Sequence, residues 1–580
     1  MNTKTYLQKL FALVLLLANY NSIAQTLDWA RQIGGTGNDL GTSLTIDAQG
    51  YIYLSGLFSD TVDLDPGNNT FNTFSVDATD GFVSKLDSMG NLIWTKVIAG
   101  TGNQTISAIS LDNLGNVIVT GYFEDDVDFN PGTGTAILNS FGNNDIFILK
   151  LNPTTGGFVW VKQIGGSGNE ATRIAVKTDP QGKIYFCGYF EQTVDFDTGT
   201  GIFNLTSAGG YDGFVCQLDS SGNLGWVKQF AGSGIYQYPL SLAIDNTGSI
   251  YITGSFNGDL DLDPGIGNHL VSATTTAILD GDIFICKLDN IGNFLWGASF
   301  GSPGTEQPNN ILIDNFGAVI LSGIFTNTID FDFGLGIASL TSFGSNDVFL
   351  LRLDASGAFL WVRQFGGVAS DVGGGLEIDA SGNIYLAGAF KDYADFDPGA
   401  SVYGMSTQLS YLYNTFLCKL DNSGAFVNAI SFFGHQNNPS NIAIDSYNNI
   451  IITGVFGYNN NYIVDFDPGN GISNLASNGN GDLYLTRLNQ SLVDIQNQQP
   501  ISLINIMVYP NPTQGITTVA LQKIQKSLTV KIYNSTGQLL QTVDGSNTNT
   551  LQITLPYKTG VYFAEVIMDD GVKMVKVMRE

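Results

Sequence analysis

Histidine is almost missing from this chain: there are two, His269 and His435, in 580 residues. They fall in different repeat units, and no Gly-x-Ser-x-Gly elbow accompanies either. A histidine-based metal centre or a Ser-His triad therefore lacks its parts, and both residues read as exposed loop histidines. Cysteine is nearly as scarce, at four. Basic residues are few, 24 against 52 acidic ones, for a net charge of −28. That balance repels nucleic acid and anionic membranes and favours cations or cationic partners, or serves solubility alone. Past the N-terminal region no apolar run reaches 18 residues, which argues against a membrane-spanning helix.

Glycine is plentiful, at 70 residues, and aromatics make up 12%. Both suit an all-β repeat protein rich in turns rather than a disordered chain. The charge is unevenly placed. From Ile504 to Glu580 there are seven basic and five acidic residues, so nearly all the negative charge sits in the middle of the chain. Residues 1–24 read as a secretory signal: Lys4 and Lys9, then Leu10–Ala18 as the apolar core, then Ser22-Ile-Ala24 before a cleavage site at Gln25. With no cysteine near that site, a lipid anchor is disfavoured.

The six tryptophans, Trp29, Trp94, Trp160, Trp226, Trp296 and Trp361, are spaced 65, 66, 66, 70 and 65 apart, and Val427 follows at 66 as a seventh position without the ring. So even a period points to a propeller or solenoid. In the fourth unit, Leu242–Asp245 and Ile250–Phe256 read as strands joined by Asp-Asn-Thr-Gly. Ile283–Asp289 and Phe294–Phe300 read as two more, joined across Asp-Asn-Ile-Gly. Four antiparallel strands make one propeller blade. Seven first strands and seven third strands can be counted, but the chain opens on a lone fourth strand, Leu27–Ile33, and the array ends on a third strand, Asp482–Leu488. If the first completes the last, the ring shuts and no sheet edge is left open. The expectation is an all-β chain with a seven-bladed propeller over 25–489, closed by the N-terminal strand.

The repeats resemble the SBBP family of β-propeller repeats. The matching segments include Ile378-Asp-Ala-Ser-Gly-Asn-Ile-Tyr385 and Phe284-Ile-Cys-Lys-Leu-Asp-Asn-Ile-Gly-Asn293. The resemblance implies the fold and is nearly silent on activity. Between second and third strands every unit has a long loop with an Asp-x-Asp-like pair. The pairs are Asp63 with Asp65, Asp128 with Asn130, Asp195 with Asp197, Asp261 with Asp263, Asp330 with Asp332, Asp395 with Asp397, and Asp465 with Asp467. The Phe or Leu between should face the blade, with both carboxylates outward. That arrangement suits either a Ca²⁺ held by each loop or an Asp-capped turn before Pro-Gly. These loops and the fourth-to-first links share one rim, so length variation gathers on one face, most of all at 266–280, 400–414 and 457–464.

Cys187 aligns with small residues in every other unit, and Cys216, Cys286 and Cys418 share one column. They read as packing fillers; a Cys187–Cys216 disulfide is the alternative in an oxidising compartment. The tryptophans read as blade core rather than a sugar platform.

After a polar linker, 490–503, comes a module over 504–580. Strands are expected at 518–522, 528–533, 551–555, 561–567 and 573–578, as a small β-sandwich. The module resembles the type A C-terminal sorting domain of type IX secretion. The resemblance rests on Tyr509, Pro510, Asn511 and Pro512 with Gly515, then Gly537, then Gly560 and Tyr562, then the basic end Lys573 and Lys576. It implies a bacterium of the Bacteroidota type, engagement of the secretion machinery through 504–580, passage through the outer membrane and removal of the module. The expected whole is a monomeric, exported, non-catalytic propeller that binds an extracellular glycan or protein. A polysaccharide hydrolase or lyase and a structural surface or matrix component are the alternatives. Almost every acid recurs from unit to unit, whereas a catalytic pair should be singular.

Overall fold

The computed structural model describes residues 23–492 and 506–579, apart from 275–280, 408–411, 435–436, 458–461, 470, 512, 535–537, 557 and 569–570. Residues 1–22 of the expected leader, residues 493–503 of the expected linker and parts of the variable loops lie outside the described residues. Every regular element among the described residues is a strand.

Seven antiparallel sets of four strands follow one another along the chain. The first is Asp39–Ile46, Ile52–Phe58, Asp80–Leu86 and Leu92–Gly100. In the seventh, Asn437–Ile444, Ile450–Phe456 and Asp482–Leu492 are joined by Ile23–Gly35 from the other end of the chain. The closing register runs from Ile33 opposite Leu483 to Ile23 opposite Leu492. The innermost strands touch side by side around a ring, and Asp39–Ile46 lies against both Gln104–Leu111 and Asn437–Ile444. The second and third strands are buried on both faces, which is why segments such as Ile250–Phe256 read as near-continuous apolar runs. The core lies between blades: Val83 and Trp94 of the first pack with Val119 and Phe147 of the second.

The hairpin turns are set by aspartate. Asp245 Oδ1 accepts from the N–H groups of Thr247 and Ser249 at 2.8 and 3.0 Å. Gly248, at φ +83°, turns the chain so that its N–H reaches Asp245 O at 2.9 Å.

Two contacts recur between successive blades on this turn face. The tryptophan of one fourth strand lies over the turn glycine of the following blade. A Cβ on Gly90 would come within 3.1 Å of Trp29, and one on Gly424 within 3.0 Å of Trp361. The second contact is basic. Lys150 pairs with Asp112 of its own blade at 2.7 Å and donates to Ser220 O of the next at 3.1 Å. Across the closure Arg487 does the same, to Asp445 at 2.9 Å and to Ser88 O at 2.7 Å.

The seventh tryptophan position is Asn428, not Val427. Trp361 pairs with Arg352, and the equivalent Lys419 pairs with Asn428, while Val427 faces solvent. The ring is lost there for a reason. The seventh blade has no turn from third to fourth strand, because its fourth strand comes from the N-terminus, so no turn glycine exists for an indole to cover. Lys419 instead donates to Gln490 Oε1, at 2.8 Å, on the run-on of the third strand.

Each long loop contains a short hairpin. Thr61–Asp63 pairs with Asn72–Phe74, and the hairpin also pairs with the preceding blade's fourth strand, Gly34 opposite Asp63. The same occurs at Gly100, Gly165, Gly366 and Phe433.

The C-terminal module is one bent sheet rather than two separate ones. Its strands are Ile506–Tyr509, Ile516–Asn534, Leu539–Thr554, Gly560–Met568 and Gly571–Arg579. The expected strands 518–522 and 528–533 are halves of one strand, whose register breaks between Ala520 and Gln525. That break folds Val519, Leu521, Leu528, Val530 and Ile532 around a common core. Thr513 N–H donates to Met578 O at 2.8 Å, so the sheet nearly closes on itself.

Candidate functional site

The hairpin aspartates are placed as expected around a buried side chain: Leu64, Phe129, Phe196, Leu262, Phe331, Phe396 and Phe466 are all fully or almost fully buried. Their carboxylates cap the hairpin. Asp63 Oδ1 accepts from Asp65 N at 3.0 Å and from Phe71 N at 2.7 Å, and Asp65 Oδ1 accepts from Gly67 N at 2.8 Å. Asp195 does as Asp63 does, and Asp197 Oδ1 accepts from Gly199 N at 2.7 Å. Asp261 is followed by Asp263, whose Oδ1 accepts from Gly265 N at 2.9 Å. After Asp330, Asp332 Oδ1 accepts from Gly334 N at 2.9 Å. After Asp395, Asp397 takes Gly399 N at 2.8 Å, and after Asp465, Asp467 takes Gly469 N at 2.7 Å. Asn130, beside Asp128, makes the second bond equally well, to Gly132 N at 3.0 Å.

Of the two alternatives for these loops, the capped turn is the one the hydrogen bonds display. Each first aspartate, Asp128 included, already holds two backbone N–H groups on one oxygen. The second aspartates Asp65, Asp197, Asp263, Asp332, Asp397 and Asp467 each direct an oxygen to a glycine N–H, not to a point shared with further carboxylates. Among the described residues no three or more His, Cys, Asp or Glu side chains converge as a metal cage.

A ring of buried carboxyls on the loop face escaped the sequence reading. At or beside the start of each third strand stands Asp80, Asp145, Asp212, Asp282, Asp347, Asn414 or Asp482, and at or beside the start of each first strand stands Asp39, Gln104, Glu170, Gln237, Glu306, Asp371 or Asn437. All are buried. One set meets the other at the blade seams, so two acids face each other at four of them: Asp482 with Asp39, Asp145 with Glu170, Asp282 with Glu306, and Asp347 with Asp371. Burial, then the neighbouring Asp482, pushes Asp39 up to about 8; burial and, less strongly, Asp145 push Glu170 to about 8. Burial alone raises Asp347 to about 7, and Asp371 is held well above the usual range by burial and then by Asp347. Gln163 and Gln229 steady two of these acids, each donating at 2.6 Å to Asp145 and Asp212 respectively. The signal was in the sequence as a recurring acid before each apolar third strand.

The cysteines are fillers: all four are buried and none is in a disulfide. Cys187 faces Val215 and Cys216 faces Phe186, and the two thiols belong to different inter-blade cores, so the disulfide alternative fails on geometry.

Two groups break the sevenfold pattern. In the central channel, which is lined by first-strand residues of all seven blades, the position two before the turn aspartate holds Thr45, Ser110, Lys177, Ala243, Leu312, Glu377 or Ala443. Lys177 and Glu377 are the only charges in that row. Burial raises the Glu377 carboxyl, whose Oε1 accepts from Ile378 N at 3.0 Å, and Lys177 opposes the rise. On the loop face, at the seam of the third and fourth blades, Tyr189, Tyr211, Tyr236 and Tyr238 gather, all half-buried. Tyr189 lies 4.5 Å from Tyr238 and 5.2 Å from Tyr211 between ring centroids, and Tyr236 stacks on Tyr238 at 4.8 Å and 17°. Elsewhere the Tyr238 position is Leu40, Thr105, Ala171, Gln307, Val372 or Asn438.

In the tail, the motif residues converge on its far end. Asn511 Oδ1 accepts from Met578 N at 2.8 Å. Arg579 donates to Leu555 O at 2.5 Å, to Gln514 O at 3.1 Å and to Pro556 O. Gly515, at φ +142°, lies under that guanidinium: a Cβ would come within 3.1 Å of it. Tyr562 donates its hydroxyl to Lys558 O at 2.8 Å, and the Tyr509–Pro510 bond is cis. Pro512 and Gly537 lie outside the described residues; Lys573 and Lys576 are on the last strand. Arg579, absent from the motif as read from sequence, is its hub.

Residues 507–580 match the family model of the secretion system C-terminal sorting domain. The tail is a type IX sorting domain. Residues 28–57, spanning the closing strand and the first two strands of the first blade, match the beta-propeller repeat model, SBBP. A sorting domain marks export across the outer membrane to the cell surface or beyond, and no helix among the described residues is long and apolar enough to cross a membrane. The chain is 24% identical over 505 residues to the "uncharacterized WD repeat-containing protein L264" of Acanthamoeba polyphaga mimivirus, covering 74% of this chain and 36% of that protein. It is 23% identical over 262 residues to "regulatory protein FlaEY" of Caulobacter vibrioides, covering 45% and 25%. The chain thus spans about a third or less of the length of these curated relatives. Among solved structures, a fungal alcohol oxidase of the AA5 family in complex with copper aligns over 96% of this chain and 99% of that one, at 13% identity and a TM-score of 0.36.

Proposed function

We propose that this sorting-domain protein is a non-catalytic binding protein, with residues 1–24 as its leader and the propeller as its working part. The sorting domain sends the propeller out of the cell, and the loop face meets the ligand. The observation that carries this reading is how the acids are used. Hairpin aspartates cap turns and seam acids are buried between blades. A glycoside hydrolase needs one singular, solvent-reached carboxylate pair. Here the facing pairs recur at four seams and are shut off from solvent.

The test uses the full chain in a host with type IX secretion, beside a chain ending at Leu492. The full chain should appear at the surface or in the medium, and the truncated chain should stay in the periplasm. The exported protein is then incubated with extracellular polysaccharides and with surface-protein fractions. Retention without new reducing ends or unsaturated products supports the reading; steady release of such products by the purified protein sinks it.

A further inference from the structure

The tyrosine group at the third and fourth blades carries a more specific conclusion, one that rests on the binding reading above. Four phenol rings from three chain segments meet at one seam on the loop face. Tyr189 comes from the second strand Ile184–Phe190. Tyr211 precedes the third strand Asp212–Leu218, and Tyr236 and Tyr238 stand at the start of the next first strand, Gln237–Ile244. Backbone bridging sets Tyr211 beside Tyr236. No other seam has more than a single tyrosine in the equivalent strand positions, so the ring contacts that build blades do not require this group. Its rim is polar. The Tyr211 hydroxyl bonds with Asn169 and Glu191, and Asn169 Nδ2 donates to Glu191 Oε1 at 3.0 Å.

We propose that this cluster is a binding platform for a neutral oligosaccharide. Half-buried rings with both apolar faces and hydroxyl edges suit a pyranose, whose C–H face lies on a ring while its hydroxyls reach polar groups at the rim. Glu191 and the phenol oxygens accept from sugar hydroxyls, and Asn169 can donate as well as accept. The net charge of −28 excludes uronate- or sulfate-rich polymers, which the surface would repel. A proline-rich peptide also stacks on tyrosines, but it brings no hydroxyl donors for the carboxylate rim.

The test is affinity electrophoresis and calorimetry of the exported protein with laminarin, mannan and soluble starch, beside alginate and a decaproline peptide. The wild-type protein should bind at least one of the neutral glycans and neither alginate nor decaproline. Tyr236→Ala and Tyr211→Ala should each weaken that binding about tenfold. Tyr211→Phe, which keeps the ring, should lose less, and Tyr122→Ala, on the second blade, should change nothing. Melting temperatures confirm that each variant is folded, and two alanine sites guard against one of them failing. If the variants bind the glycan as tightly as the wild type, the platform is overturned while the binding reading stands. If no neutral glycan binds, or alginate or decaproline binds better, the platform is overturned, and the surface-protein fractions decide the wider reading separately.

Discussion

At the scale of residues, aspartate works here as an acceptor of backbone N–H groups. Asp63 holds two of them with one oxygen, so Asp63→Ala strands two donors and should cost about 1–2 kcal/mol of stability. Asp65→Asn keeps the acceptor, as Asn130 does naturally, and should stay within about 0.5 kcal/mol of wild type. Denaturant titration of the two variants checks this; equal losses would mean that the charge matters and not the acceptor. Arg579 is the corresponding residue of the tail. Removing its guanidinium leaves the carbonyls of Leu555, Pro556 and Gln514 without their shared donor. Arg579→Ala should lower the melting temperature of the sorting domain and the exported fraction together, with Arg579→Lys intermediate because an ammonium lacks the planar fork. The aspartate turns could be read from Asp-x-x-Gly alone, since the signal is local. Arg579 could not, because its partners lie 23 to 65 residues away.

At the scale of elements, the strand Ile23–Gly35 is the one piece whose blade partner, Asp482–Leu492, lies at the far end of the propeller in sequence. Without it the seventh blade ends on an open edge, and the Arg487 contact to Ser88 has no strand beside it to shield it. A chain starting at Gly34 should aggregate or melt well below wild type, and a synthetic peptide of residues 25–35 should restore part of the lost stability in trans. Unchanged melting after the deletion would refute closure by this strand. The phase of the repeat foretold this pairing. The hairpins between second and third strands were expected only as long loops. Their three-residue strands are too short to show a period, and several of them also pair with the preceding blade, a contact that spacing does not show.

At the scale of the whole molecule, the seam carboxyls give the ring a pH dependence. Folding raises Asp39 and Glu170 to about 8 and Asp347 to about 7, so the folded protein keeps protons there that the unfolded chain releases above about pH 4. Between those values the native state binds more protons, so stability is fullest below about pH 4 and falls as pH rises to about 8. Turn aspartates such as Asp219 act in the opposite sense: despite some burial, hydrogen bonds from Asn223 and Ser221 lower them, and they lose their contribution only below about pH 4. The melting temperature should therefore be higher at pH 5 than at pH 8. Asp39→Asn should melt above wild type at pH 8 and show a shallower slope. A flat or rising curve over that range would contradict the buried, protonated seam.

The sequence alone determined the repeat, its strands and turns, the closing strand and the sorting tail, because each rests on spacing or short motifs that neighbouring residues can satisfy. Only the tertiary structure decided which acids are buried in facing pairs, why position 428 holds an asparagine in place of an indole, and that four tyrosines meet at a single seam. Those facts depend on which blade lies beside which, and on what remains there for a side chain to touch.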